Sequence, residues 1–224
     1  MVGRASGGEL HLMPWIAITL TIGCLLAASG LVVAESRNLG AAGVVSKVAA
    51  STTFVLLALS LHAAASIYGQ LVLLALVLSW IGDVFLLGRR SVLFLSGLGS
   101  FLLAHVAFSV AFATGALSTS AFLVGLIFAS AIGVITLRWL WGRLDAPYKL
   151  AVAAYVVAIV VMCTMAIAHS AASQSWLVAV GAVAFAASDI SVARDRFVAS
   201  AFLNKAWGLP VYYSAQLLLA WSIT

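Results

Sequence analysis

Two aspartates lie inside stretches of the chain that are otherwise strongly apolar. Asp83 lies within residues 78–87, and Asp189 lies within residues 184–192. An ionisable side chain in a membrane segment is costly, so it usually faces a cavity, a partner or a substrate. The chain has only six acidic residues, and two at such positions are the main indication of a functional site.

Further charged residues reach the same depth in the membrane. At 1.5 Å per helical residue, Asp83 and Asp189 each lie ~7–9 Å inside the arginine that follows them. Lys47 comes early in the second predicted helix, Lys205 comes early in the eighth, and Glu35 ends the first. Charged groups from five helices are therefore expected to converge near one face of the membrane.

The eighth predicted helix carries a polar stripe. Lys205, Gly208, Tyr212 and Gln216 follow one another at spacings of three and four residues, and Asn204 lies beside them. Residues at these spacings share one face of a helix. The stripe is therefore a candidate wall of the site to which the aspartates belong.

A single histidine lies in the fourth predicted helix. His105 is ~20 Å from the end where the aspartates lie, beyond the membrane midplane if the helix is straight. On its own, a lone histidine in an apolar helix is more typical of a hydrogen-bonded packing residue than of a site. The four histidines show no pairing at three or four residues, so a zinc site is not indicated. We predict no metal and no other cofactor.

A structural role for these charges is the first alternative. Each aspartate could pair with Lys47 or Lys205 and lock the bundle, and the lysines could extend to the interface. However, two acids and two bases at one depth, next to a polar stripe, are more than a structural bundle needs. Functional sites are where such groups gather, although ion-pair networks also gather them.

The elements that must position these residues are membrane helices. The chain is 65% hydrophobic and 8% charged, whereas about a quarter of the residues in a soluble domain are charged. The apolar runs lack the alternation of a barrel. We predict an all-α polytopic membrane bundle, one domain over residues 1–224 with about eight transmembrane helices. The predicted helices are 14–34, 42–62, 69–88, 92–114, 119–140, 148–169, 175–194 and 203–223.

The positive charges predict an orientation. Ten of the eleven Lys and Arg residues lie in or beside the loops that follow odd-numbered helices, and only Arg4 lies on the other side. Because positively charged loops stay in the cytoplasm, we predict that both termini are extracytoplasmic. The site would open toward the cytoplasmic leaflet, in a bacterial inner membrane. This distribution also explains the net charge of +5 without a nucleic-acid partner.

Short motifs with a characteristic order cover nearly the whole chain. They are Lys47 in helix 2, Ile81-Gly82-Asp83-Val84-Phe85-Leu86-Leu87 in helix 3, Gly99-Ser100-Phe101-Leu102-Leu103-Ala104-His105 in helix 4, Phe185-Ala186-Ala187-Ser188-Asp189 in helix 7, and Tyr212-Tyr213-Ser214-Ala215-Gln216 in helix 8. The set resembles the lysoplasmalogenases, the YhhN-like membrane hydrolases. This resemblance favours a site role for His105 over a packing role.

The resemblance implies hydrolysis of the sn-1 vinyl ether of a lysoplasmalogen to a fatty aldehyde and a glycerophospho-alcohol. Acid hydrolyses vinyl ethers by protonating the β-carbon, and water adds to the resulting oxocarbenium ion. As in glycosidases, such an enzyme needs one protonated carboxyl group and one carboxylate. Burial and a second carboxylate would separate the protonation of Asp83 from that of Asp189. Either aspartate could be the acid.

The resemblance also implies a set of substrate-binding residues. This predicted set is Lys47, Lys205, His105, Asn204, Tyr212, Gln216 and Glu35. The two lysines would bind the phosphate from the cytoplasmic side. Tyr212, Gln216 and His105 would orient the sn-2 hydroxyl or the water, and the apolar helix walls would hold the alkenyl chain.

Two other classes of function remain open. A proton- or cation-coupled transporter also uses paired membrane carboxylates with lysines, although charges near one face suit a lipid headgroup better than alternating access. A membrane scaffold would tolerate asparagine at both aspartates. The expected partner is a lysophospholipid taken from the bilayer.

Overall fold

The computed structural model describes residues 9–88 and 90–224, and it describes side chains from Pro14 onward. Arg4 and Arg89, which enter the charge count above, lie outside the described residues. Within them the chain is all-helical, which confirms the predicted class. The helices are α1 (Glu9–Ser36), α2 (Gly40–Ser60), α3 (Ile67–Phe85), α4 (Ser91–Ala113), α5 (Thr119–Trp141), α6 (Ala146–Ser173), α7 (Leu177–Phe197) and α8 (Phe202–Trp221), with a 3₁₀ turn (Ala63–Ala65) before α3.

Seven helices of the described chain, α1 to α7, are long and apolar enough to cross a membrane. This composition identifies an integral membrane protein. The helix α8 has 20 residues, but its polar stripe keeps it out of this group. The eighth predicted membrane segment is therefore confirmed as a helix but not as an apolar span.

The helix ends deviate most from prediction in α1 and α6. The helix α1 begins at Glu9, so Pro14, where we predicted the start, lies inside it. Proline removes one backbone donor but does not end this helix. The helix α6 continues to Ser173 and ends where Gln174 takes a left-handed conformation, with φ of 58°. Such a residue after the last turn is a common way to end a helix.

Sequential hairpins build the bundle. Each of α1–α2, α3–α4, α5–α6 and α7–α8 packs as a neighbouring pair, as short loops require. Seven helices form a closed ring in the order α1, α2, α3, α4, α6, α7 and α8, and α8 also packs against α2 and α3. The remaining helix, α5, packs on α6 and exposes large apolar side chains such as Ile127 and Phe128. The core around α8 is therefore where the site is built.

The loops that carry the positive charges meet at one end of the bundle, which we call the basic end. There Arg196 Nη2, at the end of α7, donates to Ser91 Oγ (3.4 Å) and to Tyr148 Oη (3.3 Å). Lys205 Nζ donates to Glu35 Oε2 at 2.7 Å. These contacts join the ends of α1 and α7 to the starts of α4, α6 and α8. That this end faces the cytoplasm stays a prediction.

Two glycines allow close helix approach beside the aspartates. A Cβ atom on Gly82 would lie 2.7 Å from Cε2 of Phe101 on α4. A Cβ atom on Gly208 would lie 2.6 Å from Cβ of Ser191 on α7. Small residues are used in this way where membrane helices pack closely. The hairpins α3–α4 and α7–α8 are thus drawn tight at the level of the site.

Candidate functional site

A cavity of about 830 Å³ reaches from the basic end into the bundle. Asp83, Asp189 and Tyr212 of α8 all line this cavity. Lys205 and Glu35 line the cavity at the basic end. Its remaining walls are mainly apolar side chains of α5, α6 and α7. The two predicted acids therefore share one compartment.

The first group of polar residues, which we call the Asp83 cluster, consists of Asp83, Lys47, Ser51 and Tyr212. Lys47 Nζ lies 3.3 Å from Asp83 Oδ1. Asp83 Oδ2 accepts hydrogen bonds from Ser51 Oγ at 2.6 Å and from Tyr212 Oη at 2.7 Å. One ammonium and two hydroxyl donors on a buried carboxylate stabilise its ionised form.

The helix α2 supplies two members of the Asp83 cluster from one face. Lys47 and Ser51 are four residues apart, so their side chains lie one above the other. Tyr213 Oη lies 3.3 Å from Ser51 Oγ and donates to the carbonyl of Lys47 at 3.4 Å. Because Tyr213 is fully buried, it fixes α2 against α8 and holds both donors toward Asp83.

The second group, which we call the Asp189 cluster, consists of Asp189, His105, Tyr155 and the backbone carbonyl of Phe101. His105 Nδ1 lies 2.6 Å from that carbonyl oxygen. His105 Nε2 lies 3.2 Å from Asp189 Oδ2. The ring of Tyr155 contacts the His105 ring edge-on at 5.1 Å between centroids. A histidine fully buried in α4 thus joins α4 to α7.

These contacts determine where a proton can lie. A carbonyl oxygen only accepts, so Nδ1 of His105 carries a hydrogen. A neutral imidazole then presents a lone pair at Nε2, which an ionised Asp189 would repel. Within the described residues, neither Nε2 nor Oδ2 has a hydrogen-bond partner elsewhere. A hydrogen bond between the two side chains therefore needs one further hydrogen, on Nε2 of His105 or on Oδ2 of Asp189.

Two aromatic rings, Phe185 and Phe101, link the two clusters. Phe185 stacks on His105, with centroids 4.4 Å apart and an interplanar angle of 25°. Phe101 contacts Phe185 at 6.1 Å and Tyr212 at 5.9 Å, edge-on in both cases. These rings give His105 and Tyr212, each of which contacts one carboxyl group, an apolar contact surface. A low-dielectric surface of this kind strengthens the electrostatic interactions beside it.

Counted in residues from the helix ends, His105 was expected to lie roughly 12 Å deeper in the membrane than Asp189. Their side chains are nevertheless in contact. Side chains on a helix lean toward its N-terminus. The helix α4 starts at the basic end and α7 ends there, so His105 and Asp189 lean toward each other. In addition, α7 continues to Phe197, three residues beyond its predicted end, which places Asp189 deeper than expected.

Lys205 does not pair with an aspartate of the described chain, as the structural alternative had allowed. Lys205 pairs with Glu35, and their side chains are 41% and 33% exposed. Both line the cavity at its basic end. The lysine that contacts an aspartate is Lys47 alone among the described residues. Lys205 therefore belongs to the mouth of the cavity rather than to either cluster.

The predicted residues Asn204 and Gln216 do not present free polar groups to the cavity. Asn204 lines it, but its amide accepts from Arg194 and donates to Asp195 Oδ1 at 3.0 Å and to the Ala199 carbonyl at 2.8 Å. These bonds fix the turn between α7 and α8. Gln216 is fully buried one turn beyond the cavity wall, and its amide has no partner within the described residues.

Three residues at the site were not among the predicted site residues. Ser51 forms a polar patch with Lys47 one helical turn away, which the sequence shows, but it was not assigned to the site. Tyr155 gave no signal, because a single tyrosine in an apolar helix has no pattern. Arg196 was counted only as a loop charge, yet it lines the mouth, and its guanidinium lies 4.5 Å above the Phe94 ring. Within the described chain, no three His, Cys, Asp or Glu side chains converge as metal ligands would.

The chain belongs to the YhhN family, the family of lysoplasmalogenases, because the family model matches residues 42–223. The match spans α2 to α8 and includes every member of the Asp83 and Asp189 clusters. It confirms the resemblance noted in the sequence and supports a membrane hydrolase. No curated protein and no solved structure matches the chain.

Proposed function

We propose that this member of the YhhN family hydrolyses the sn-1 vinyl ether of lysoplasmalogens to a fatty aldehyde and a glycerophospho-alcohol. The observation that carries the proposal is the pairing of two unlike carboxyl groups in one cavity. Asp83 contacts the Lys47 ammonium group and accepts two hydroxyl hydrogen bonds, so we assign it as the carboxylate. We assign the proton to the pair of Asp189 and His105, whose Oδ2 and Nε2 atoms lie 3.2 Å apart. This is the division of roles that acid-catalysed vinyl ether hydrolysis needs.

The first step is proton transfer to carbon. The Asp189–His105 pair gives its proton to the β-carbon of the vinyl ether, through Asp189, which lines the cavity. The double bond supplies the electron pair for the new C–H bond, and the ether oxygen shares its lone pair with the α-carbon. The product is an oxocarbenium ion, which the ionised Asp83 stabilises by its charge.

The second step is addition of water. Asp83 accepts a proton from a water molecule as the oxygen of that water bonds to the α-carbon, which gives a neutral hemiacetal. In the last step the hemiacetal hydroxyl returns its proton to Asp189, and Asp83 protonates the departing glycerol oxygen. The C–O bond breaks, the aldehyde is released, and both carboxyl groups regain their starting states.

The mouth of the cavity suits the phosphate of the lipid. Lys205 and Arg196 line it, and Arg196 is exposed. Guanidinium and ammonium groups both bind phosphate. The positive charges at this end also support the predicted orientation of the site toward the cytoplasmic leaflet.

The test is aldehyde release by purified protein in lipid nanodiscs. The substrate is a lysoplasmalogen, and the matched control is a lysolipid of the same chain and headgroup with an ester at sn-1. We expect aldehyde from the vinyl ether, and a release lowered by about 10³-fold in Asp83→Asn and in Asp189→Asn protein. Unchanged turnover in both variants would remove the aspartates from the mechanism.

The same purified protein, reconstituted in proteoliposomes, distinguishes hydrolysis from transport. A hydrolase should release aldehyde at one rate with or without a proton or sodium gradient across proteoliposomes. Ion uptake that depends on the aspartates, without aldehyde from a choline or an ethanolamine lysoplasmalogen, would favour a proton- or cation-coupled transporter instead.

A further inference from the structure

The cavity continues away from the aspartates as an apolar groove. We call this the α5–α7 groove, and its floor is the face of α6 between α5 and α7. Its lining recurs at helical spacing on all three helices. The lining residues used below are Phe128, Ile132, Ile159, Ile167, Val183 and Ala187.

The groove is open to the side. Phe128, Ile132 and Val183 are 64%, 57% and 51% exposed on its rims. In a membrane protein such large apolar side chains face lipid, not water. The groove therefore connects the interior of the cavity with the hydrocarbon region of the bilayer.

The length of the groove fits one lipid chain. From Asp189 it follows α7 for ~9 Å to Val183, and along α6 it covers ~12 Å from Ile159 to Ile167. The hydrocarbon of one leaflet is roughly 15 Å deep. A chain that leaves the level of Asp189 along this groove thus stays in apolar surroundings as far as the midplane.

The chemistry of the substrate requires a chain site at this place. The two carbons of the vinyl ether are the first two carbons of the alkenyl chain, so the chain leaves directly from the atom that Asp189 protonates. On the side of α7 that carries Asp189, the cavity wall next to it is apolar and includes Ala186 and Ala187. A single hydrocarbon chain is therefore the occupant that agrees with both ends of the cavity.

We propose that the α5–α7 groove binds the alkenyl chain of the substrate, that the lipid enters sideways through it, and that the α6 face from Ile159 to Ile167 determines the preferred chain length. This inference rests on the proposed function for the identity of the headgroup end. The groove itself is tested without turnover.

The first experiment uses a probe that the enzyme does not cleave. A lysolipid with a saturated alkyl ether at sn-1 carries a diazirine at the chain end, and the purified protein in nanodiscs is photolabelled and mapped by mass spectrometry. We expect labels on residues 128–136, 156–167 and 183–190, reduced by excess unlabelled lysolipid. Labels confined to other lipid-facing surfaces, or equal competition by two-chain phospholipid, would overturn the proposal.

The second experiment uses two tryptophan variants on one helix. Ile159→Trp fills the groove, whereas Val157→Trp adds the same ring on the outward face of α6, where Val157 is 62% exposed. Ile159→Trp should lower kcat/KM for a long-chain relative to a short-chain lysoplasmalogen by about tenfold, the effect of an overpacked site. Val157→Trp should leave that ratio unchanged.

The outcomes keep the two proposals apart. Groove labelling without aldehyde release would retain the chain site and reject the vinyl ether reaction. Aldehyde release without groove labelling, or an equal change of the chain-length ratio in both tryptophan variants, would retain the reaction and reject the chain site.

Discussion

Asp83 and Asp189 line the same cavity, but Asp83 lies two residues before the end of α3, Asp189 lies eight residues before the end of α7, and their surroundings differ. Asp83 receives an ammonium and two hydroxyl hydrogens. Asp189 Oδ2 lies 3.2 Å from Nε2 of His105. In a neutral ring whose Nδ1 carries the hydrogen, this Nε2 atom has none. The Asp189 side chain is also the more exposed, at 14% against 5%. The surroundings, not the residue type, thus distinguish the two groups, and the proposed mechanism assigns Asp83 as the base and Asp189 as the acid.

The largest expected effects come from the two aspartates, whose asparagine variants should lose similar activity but different amounts of stability. Asp83→Asn and Asp189→Asn should each lower aldehyde release by about 10³-fold, the range of general acid–base catalysis. Asp83→Asn leaves the Lys47 cation, whose side chain is only 14% exposed, without its partner, which costs about 3–5 kcal/mol. Asp189→Asn keeps a donor for His105 and should cost under about 1 kcal/mol. Thermal unfolding in detergent measures both, and equal destabilisation would contradict the comparison.

The Lys47–Asp83 pair predicts a compensating change. Lys47→Met alone strands the Asp83 carboxylate and should destabilise the protein by about 3 kcal/mol. In the Asp83→Asn background the same change removes an uncompensated cation, so it should recover most of that loss. A double-mutant cycle on the unfolding free energy measures the coupling. Additive effects of the two changes would show that the pair does not stabilise the fold.

His105 should matter only through Asp189. His105→Gln removes the shared proton site and should lower activity by about 10²-fold. In the Asp189→Asn background it should lower activity no further, because the two residues act as one unit. The control is His169→Gln, since His169 stacks on Tyr68 at the other end of the bundle. A further loss in the double variant would assign His105 a separate role.

The glycines beside the clusters should be sensitive to one added methyl group. Gly82→Ala and Gly208→Ala each force a Cβ atom against a neighbouring helix and should cost about 1–3 kcal/mol of stability. Gly99→Ala is the control, because nothing lies within 4 Å of its Cβ position. It should be neutral or stabilising by up to about 1 kcal/mol, since alanine favours helix. Similar losses at all three positions would contradict tight packing at the site.

The helices could be predicted because hydropathy is a local property of the chain. Seven apolar runs became membrane-length helices, and the larger errors lie at helix ends, where α1 begins five residues before its predicted start and α6 ends at the left-handed Gln174. The eighth helix was found by the length of its run, but its apolar character was overestimated. Its polar stripe contacts α1 through Lys205, α3 through Tyr212 and α7 through Gly208, a packing arrangement that no local pattern reveals.

Only the site residues whose burial is energetically costly could be predicted from the sequence. The aspartates and Lys47 stand out because charged groups are rare in apolar helices. The pairing of His105 with Asp189 depends on α4, α6 and α7 being neighbours in the ring and on opposite side-chain lean, which spacing along one chain does not contain. For the same reason the sequence left Lys205 open as a partner of either aspartate, whereas it pairs with Glu35.

The smallest expected effect lies at the mouth and has opposite signs for the two partners of one pair. Lys205 and Glu35 are too exposed for their ion pair to contribute more than about 1 kcal/mol, so Lys205→Gln and Glu35→Gln should leave unfolding nearly unchanged. If Lys205 meets the phosphate, Lys205→Gln should raise KM by roughly fivefold at most, with kcat unchanged. Glu35→Gln frees the ammonium group and should lower KM. Added salt should reduce both shifts, whereas KM changes of the same sign would place the phosphate elsewhere.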